Sequence, residues 1–309
     1  MNLEPINQTK LIGLYSEFNE LVNLHKKEKL PNKILLSGKK GSGKCTLAYH
    51  LINYVLSIDE LNPYNQDHFT IDNENKSYRL ILSGACPNFH LIDILEDKKT
   101  IDINQIRELL LVLNKSILNS KPRFVLIDNI QFLNINSINA LLKSLEEPTH
   151  NTYFILINNN KKILNTLKSR CLNFKISLSN KKSIEITNSL IEGDLFELLN
   201  VDFINYYNTP GNYLNLINFS KENDIDLKKN NLKTFFELII NGNYYKKKTS
   251  IRDMLFDYLE LFCSKKIDVT NNDLINYYSK FLKKIYNTKK FNLDEESLFI
   301  EFESNLLNE

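Results

Sequence analysis

The chain has few cysteines, and none lies near another: Cys45, Cys86, Cys171 and Cys263 are scattered through 309 residues. No CxxC pair exists, so a zinc knuckle is not expected, and four isolated thiols read as reduced and cytoplasmic. The five histidines show no paired spacing, so each, His90 included, reads as structural and no metal site is expected. Also missing are a basic-then-apolar leader at Met1-Asn2-Leu3-Glu4-Pro5 and any long uncharged apolar run. Neither secretion nor a membrane span is expected. An excess of one charge is absent too: Lys+Arg of 39 against Asp+Glu of 37 leaves +2, so any nucleic-acid footprint has to be local. Glycine and alanine are scarce while Asn, Lys and Ile abound. That bias suits AT-rich coding sequence and strips many lysines and asparagines of functional meaning.

What is present organises itself around residues 33–56. Lys33-Ile34-Leu35-Leu36-Ser37 is a short β-like run. Gly38-Lys39-Lys40-Gly41-Ser42-Gly43-Lys44-Cys45 is a glycine-rich turn, and an apolar periodic segment follows from Thr46. Strand, glycine loop and helix in register make a phosphate-binding loop, in which backbone N–H groups and the positive helix end face an anion. Lys44 would add a point charge. Where Ser or Thr should offer a hydroxyl to Mg²⁺ stands Cys45, a soft ligand for a cation that prefers oxygen. Thr46 is turned about 100° away by one helical step.

Along the rest of the chain, Leu14, Phe18, Leu21, Val22 and His25 predict a helix over 14–29 that Pro31 ends. Residues 59–77 read as a polar surface insertion and 89–95 as a second strand. Asp102 caps a helix running to about Leu118, with Ile106, Leu109, Leu110 and Leu113 on its apolar face. Phe124-Val125-Leu126-Ile127 reads as a strand buried on both faces and ends at Asp128. Helix 136–147 turns Ile138, Leu141, Leu142 and Leu145 to one side and Asn139, Lys143 and Glu146 to the other, and Pro148 stops it. The strand at 153–157 and a short helix near 161–168 lead to Ser169-Arg170-Cys171. Strands alternating with helices over 33–176 predict an α/β fold with a parallel sheet. Beyond 178 only helical patterns remain, in a small unit over 179–222 and, after a polar linker at 223–231, to the end. Stripes there include Ile251, Leu255, Tyr258 and Phe262, then Ile275, Tyr278, Leu282 and Ile285, then Leu298, Phe302 and Leu306. Lys246-Lys247-Lys248 and Lys289-Lys290 read as solvated faces.

Gly38–Lys44 and Asp128 are the two halves of a nucleoside-triphosphate site, in which the aspartate holds metal and an adjacent acid positions water. The adjacent residue here is Asn129. An amide takes no proton at neutral pH, and loss of a general base costs on the order of 10²–10⁴ in rate. Gly38, Gly41, Gly43, Lys44, Cys45, Thr46 and Asp128 therefore predict nucleotide-binding ancestry without hydrolysis in cis.

Four segments carry a family resemblance: Gly38 to Ala48, Leu126-Ile127-Asp128-Asn129, Asn139 to Pro148, and Ser169-Arg170-Cys171. Together they resemble the bacterial clamp-loader subunits of the AAA+ class, with the delta-prime type of DNA polymerase III nearest. The likeness covers residues 8–180 well and the helical remainder loosely. It implies an AAA+ P-loop domain over 1–178, a small helical lid over 179–222 and a C-terminal helical collar domain over 223–309. It implies a role in DNA replication beside delta and tau/gamma subunits, with the sliding clamp and primed DNA reached through the complex. Polymerase activity belongs to the holoenzyme. Arg170, flanked by Ser169 and Cys171, is then an arginine finger for a neighbour's ATP, and the competing reading pairs it with a local acid. No cofactor is required in cis, neither ATP with Mg²⁺ nor zinc. The chain departs from the family where cysteine clusters for zinc are common, since only Cys86 lies there, and where a nucleotide-sensing arginine follows Pro-Gly, since Asn212 stands there. The rival is an active tau/gamma-like motor ATPase, whose turnover Lys44→Ala would abolish. A third reading, a DNA-binding AAA+ regulator, predicts no association with delta or tau/gamma. The face carrying Asn139, Lys143 and Glu146 could meet a neighbour or solvent, and the residues alone do not choose.

Overall fold

Five short apolar runs assemble into one parallel sheet, and the alternation of their side chains divides the surrounding core in two. The computed structural model describes residues 4–95, 98–115, 119–147, 151–246, 249–266, 272–291 and 293–304. Leu118, Pro148, Lys247, Lys248 and Leu306, and the side chains of Ile251 and Lys290, lie outside the described residues. The chain divides into two compact units, Met1–Leu178 and Ser179–Glu309.

In the first unit the order is α1 (Tyr15–Lys26), β1 (Lys33–Ser37), α2 (Lys44–Leu56), α3 (Lys76–Leu82), β2 (Phe89–Ile92), α4 (Ile103–Leu113), β3 (Arg123–Ile127), α5 (Ile135–Glu146), β4 (Thr152–Asn158), α6 (Asn165–Lys168) and β5 (Leu172–Lys175). The strands lie in the order β2-β3-β4-β1-β5, all parallel. Ile34, Leu36, Phe124, Leu126, Ile155 and Ile157 face one way, toward Phe18, Leu47 and Leu51 of α1 and α2. Leu35, Val125, Ile127, Phe154 and Leu156 face the other, toward Ile106, Leu109, Leu141 and Leu145 of α4 and α5. Helices on both faces explain why these strands read as continuous apolar runs.

Three expectations change. Residues 59–77 are fastened to the core, not a loose insertion: Tyr64 and Ile71 are buried, Asn65 bridges Thr70, and Thr70 bridges Lys10. Buried polar partners replace the apolar periodicity that would have announced this. The Tyr64 hydroxyl meets His50 Nδ1 at 2.9 Å, Asn53 donates to Asn75 at 2.9 Å, and Ser77 and Lys121 both donate to Glu60 Oε1. The second strand stops at Ile92, which leaves Asp93 beyond its carboxyl end. β5 is a strand that no apolar run announces, because it is a sheet edge with little burial.

The second unit is helical: α7 (Asn180–Ile191), α8 (Leu195–Leu198), α9 (Pro210–Glu222), α10 (Leu232–Asn241), α11 (Thr249–Lys266), α12 (Asn272–Phe291) and α13 (Glu295–Phe302). The expected boundary at 222–223 falls inside this unit, where one cluster contains Leu195, Phe203, Tyr213, Phe236, Phe262 and Phe302. Nor are residues 223–231 a free linker. Leu227 is buried in that cluster, and its carbonyl accepts from Asn200 N at 2.9 Å.

Candidate functional site

Parallel pairing brings the carboxyl ends of the strands to one edge, where an open α/β sheet binds its ligands. Ser37 pairs with Asn158, and Ile127 with Ile92 and Leu156, so Gly38, Asp93, Asp128 and Asn159 emerge side by side. The loop that follows β1 turns sharply into α2. Gly43 caps the helix at φ +86°, a left-handed conformation that glycine adopts without strain. At Gly38 the constraint is space, since a Cβ there would stand 2.3 Å from the Ile176 carbonyl oxygen.

Lys44 does not project from this loop. Its ammonium donates back to the carbonyls of Gly38 at 3.1 Å and Lys39 at 2.6 Å, and reaches Ser42 Oγ at 3.4 Å. Burial pulls its pKa down to about 8, against the opposing charge of Asp128. Burial and the neighbouring Asp128 carboxylate hold the Cys45 thiol protonated well above its usual range. Asp128 is itself raised, by burial first and then by Asp93. Thr46 is half-buried one helical step further on. Lys44, Cys45 and Asp128 thus come together, but a neutral thiol beside the aspartate offers no oxygen to a hard cation. The residues do not fit Mg²⁺.

Asn129 is occupied on every side. It sits at φ 55°, ψ 41° and its amide nitrogen donates to Asp93 Oδ1 at 2.8 Å. Its amide oxygen accepts from Asn159 Nδ2 at 2.8 Å and Gln131 Nε2 at 3.2 Å. One side chain therefore ties together the segments leaving β2, β3 and β4. The sequence reading missed Asp93, Gln131 and Asn159 as partners. Asp93 stands after its strand as Asp128 does after β3, a signal that a strand running to residue 95 conceals.

Arg170 lies at the other end of the sheet. It precedes β5, whose first residue, Leu172, pairs with Ile34 near the start of β1, whereas the glycine loop follows the end of β1 at Ser37. The rise of a strand, roughly 3.3 Å per residue, sets the two sites about a strand length apart. Leu167, fully buried, pins the short α6, and half-buried Cys171 packs on the same cluster, its thiol raised to about 11 by burial. Ser169 Oγ donates to the Thr166 carbonyl at 3.2 Å. Between them the Arg170 guanidinium reaches the surface. Nε and Nη2 donate to Glu146 Oε1, the former at 3.0 Å, and Nη1 donates to the Thr166 carbonyl at 2.8 Å. Asn139, Lys143 and Glu146 share the exposed face of α5. The local acid of the competing reading is thus Glu146, at a distance in sequence that no short motif signals.

In the second unit, Asn212 is occupied locally. Thr209 and Asn212 form a reciprocal capping box at the start of α9, with the Asn212 amide oxygen accepting from Thr209 N at 3.3 Å. Among the described residues no helix is long and apolar enough to cross a membrane.

Residues 15–180 match the family model described as DNA polymerase III, delta subunit. A DNA polymerase III subunit delta' of Buchnera aphidicola subsp. Schizaphis graminum is 27% identical over 281 residues, covering 86% of this chain and 83% of the relative. The subunit delta' of Pseudomonas aeruginosa is 32% identical over 139 residues, 45% of this chain and 40% of that one. Among solved structures, a DNA polymerase III gamma subunit-related protein of Thermotoga maritima superposes with a TM-score of 0.53 at 18% identity. That likeness spans 91% of this chain and 96% of the other, and it establishes the fold alone.

Proposed function

The chain belongs to the DNA polymerase III delta-subunit family, and we propose that it hydrolyses no ATP itself but lends Arg170 to the ATP site of a neighbouring subunit. It acts in DNA replication, in a clamp-loader complex, as a subunit of the delta-prime kind. One observation carries the proposal. Arg170 stands at the end of the sheet opposite the glycine loop, so its guanidinium cannot serve the nucleotide edge of its own chain. Any phosphate it meets is held by another molecule.

The state of that edge supports the same reading. Beside Asp128 a protonated thiol, Cys45, stands where a hydroxyl would share the cation, and the amide of Asn129 is spent on Asp93, Asn159 and Gln131. The amide of Asn129, standing where an acid would position the attacking water, takes no proton at neutral pH. Lent in trans, a guanidinium spreads positive charge over the oxygens of a transferring γ-phosphoryl group, where charge builds in the transition state. The neighbour in this reading is the tau/gamma motor subunit. Delta completes the complex, and the complex meets the sliding clamp and primed DNA in the cytoplasm. Residues 179–222 act as a lid and 223–309 as the collar joining the subunits.

The test is a loader reconstituted with Arg170→Ala. Clamp- and DNA-stimulated ATPase and clamp loading are expected to fall, since an arginine finger is worth about 10³–10⁵ in rate at the site it serves. Unchanged ATPase and loading would remove the proposal.

A further inference from the structure

Arg170 is not waiting in open solvent. One N–H from each of its three nitrogens folds back along α6, two onto the same oxygen of Glu146 and one onto the Thr166 carbonyl. Each partner is held by its own anchor. Glu146 follows the buried Leu145 at the end of α5, and Arg170 follows the buried Leu167 of α6. The backbones are fixed by packing while the charged ends stay at the surface, with the arginine side chain 32% and the glutamate 51% exposed.

We propose that Glu146 is a positioning residue for Arg170: it stores the guanidinium against the free chain and yields it when a neighbour presents phosphate. The proposal rests on the reading of Arg170 as a group that acts in trans. The geometry favours exchange over permanent pairing. Two N–H groups converging on one carboxylate oxygen lack the parallel two-oxygen fork that makes arginine–carboxylate pairs strong. A phosphoryl group offers more charge and more acceptor oxygens. An exposed ion pair contributes about 0.2–1 kcal/mol, so the store holds Arg170 back by at most about fivefold. Storage also holds the guanidinium in one place near the surface, so less rotamer freedom is lost on transfer than from a side chain ranging freely in water.

The experiment uses the reconstituted loader and titrates this chain into the motor and delta subunits, reading DNA- and clamp-stimulated ATPase. Glu146→Gln is expected to lower the concentration giving half-maximal stimulation by about two- to fivefold. Glu147→Gln, which removes the same charge one residue away, leaves it unchanged. Glu146→Gln with Arg170→Ala behaves as Arg170→Ala alone, because the glutamate acts only through the arginine. If Arg170→Ala lowers the ATPase while Glu146→Gln leaves the half-maximal concentration unchanged or raises it, Glu146 stores nothing and the inference falls. An equal gain from Glu147→Gln would reduce it to a general charge effect and also overturn it. If Arg170→Ala itself leaves the ATPase intact, the trans reading has failed, an outcome distinct from failure of the store.

Discussion

Replacing Asn129 by alanine tests whether the strand-end network is a brace rather than the remnant of a catalytic position. The substitution removes one hydrogen bond to the Asp93 carboxylate at 2.8 Å and two to neutral amides at 2.8 and 3.2 Å. A bond to a charged group contributes about 1.5–3 kcal/mol and each neutral one about 0.5–1.5. The left-handed backbone at φ 55° adds about 1 kcal/mol, because alanine lacks the side chain that lets asparagine settle there. Water reaches these half-buried groups and offsets part of the loss, which leaves about 2–5 kcal/mol. For a unit of this size that lowers Tm by roughly 5–15 °C. The assay is thermal and urea unfolding followed by two probes, since a chain of two compact units need not unfold in one step. Asn129→Gly should recover about 1 kcal/mol relative to alanine by relieving the backbone while still lacking the amide. If Asn129→Ala stays within about 0.5 kcal/mol of the parent, the network holds nothing together. Asn129 would then be only an acid that is missing.

Two other consequences concern the same unit. Cys45→Thr restores the hydroxyl expected of a phosphate loop, but the isolated chain is expected to show no ATP turnover, because Asn129 still stands where the acid should. Turnover that Lys44→Ala then removes would reverse the conclusion. His50 is buried, with Nε2–H donating to the Gln8 carbonyl at 3.0 Å and Nδ1 accepting from the Tyr64 hydroxyl at 2.9 Å, so the fold requires a neutral ring. Burial lowers its pKa from 6.5 to about 4. Between those values the unfolded chain binds the extra proton, so this contribution is complete above pH 6.5 and fades as pH falls through 4. It amounts to about 3 kcal/mol. His50→Gln should flatten the urea midpoint across that window, and a slope as steep as the parent's would refute the assignment.

Much of the candidate site was legible because its signals are local. Glycines at set intervals, a lysine opening a helix and an aspartate ending an apolar run each depend on neighbours a few residues away. The same holds for the departures from the loop's pattern, Cys45 and Asn129, which read as missing oxygen and missing acid from the sequence alone. Asn212 could be read as a missing arginine, but its capping box with Thr209 emerged only with the backbone of α9. Edge strand β5 escaped for the opposite reason, since a sheet edge needs no apolar run. Residues 59–77 escaped because they are secured by polar partners distant in sequence, such as Asn53 with Asn75 and Lys121 with Glu60.

By itself, then, the sequence determined the family, the parallel α/β class, the loop and its departures from pattern, since helical and strand periods and turn chemistry are short-range properties of the chain. Tertiary structure decided the rest. Only strand order and register set Arg170 at the end of the sheet away from the glycine loop. Only packing brings Glu146, 24 residues earlier, against its guanidinium. Which charges meet is fixed by how separated segments fold onto one sheet, and no local pattern encodes that distance.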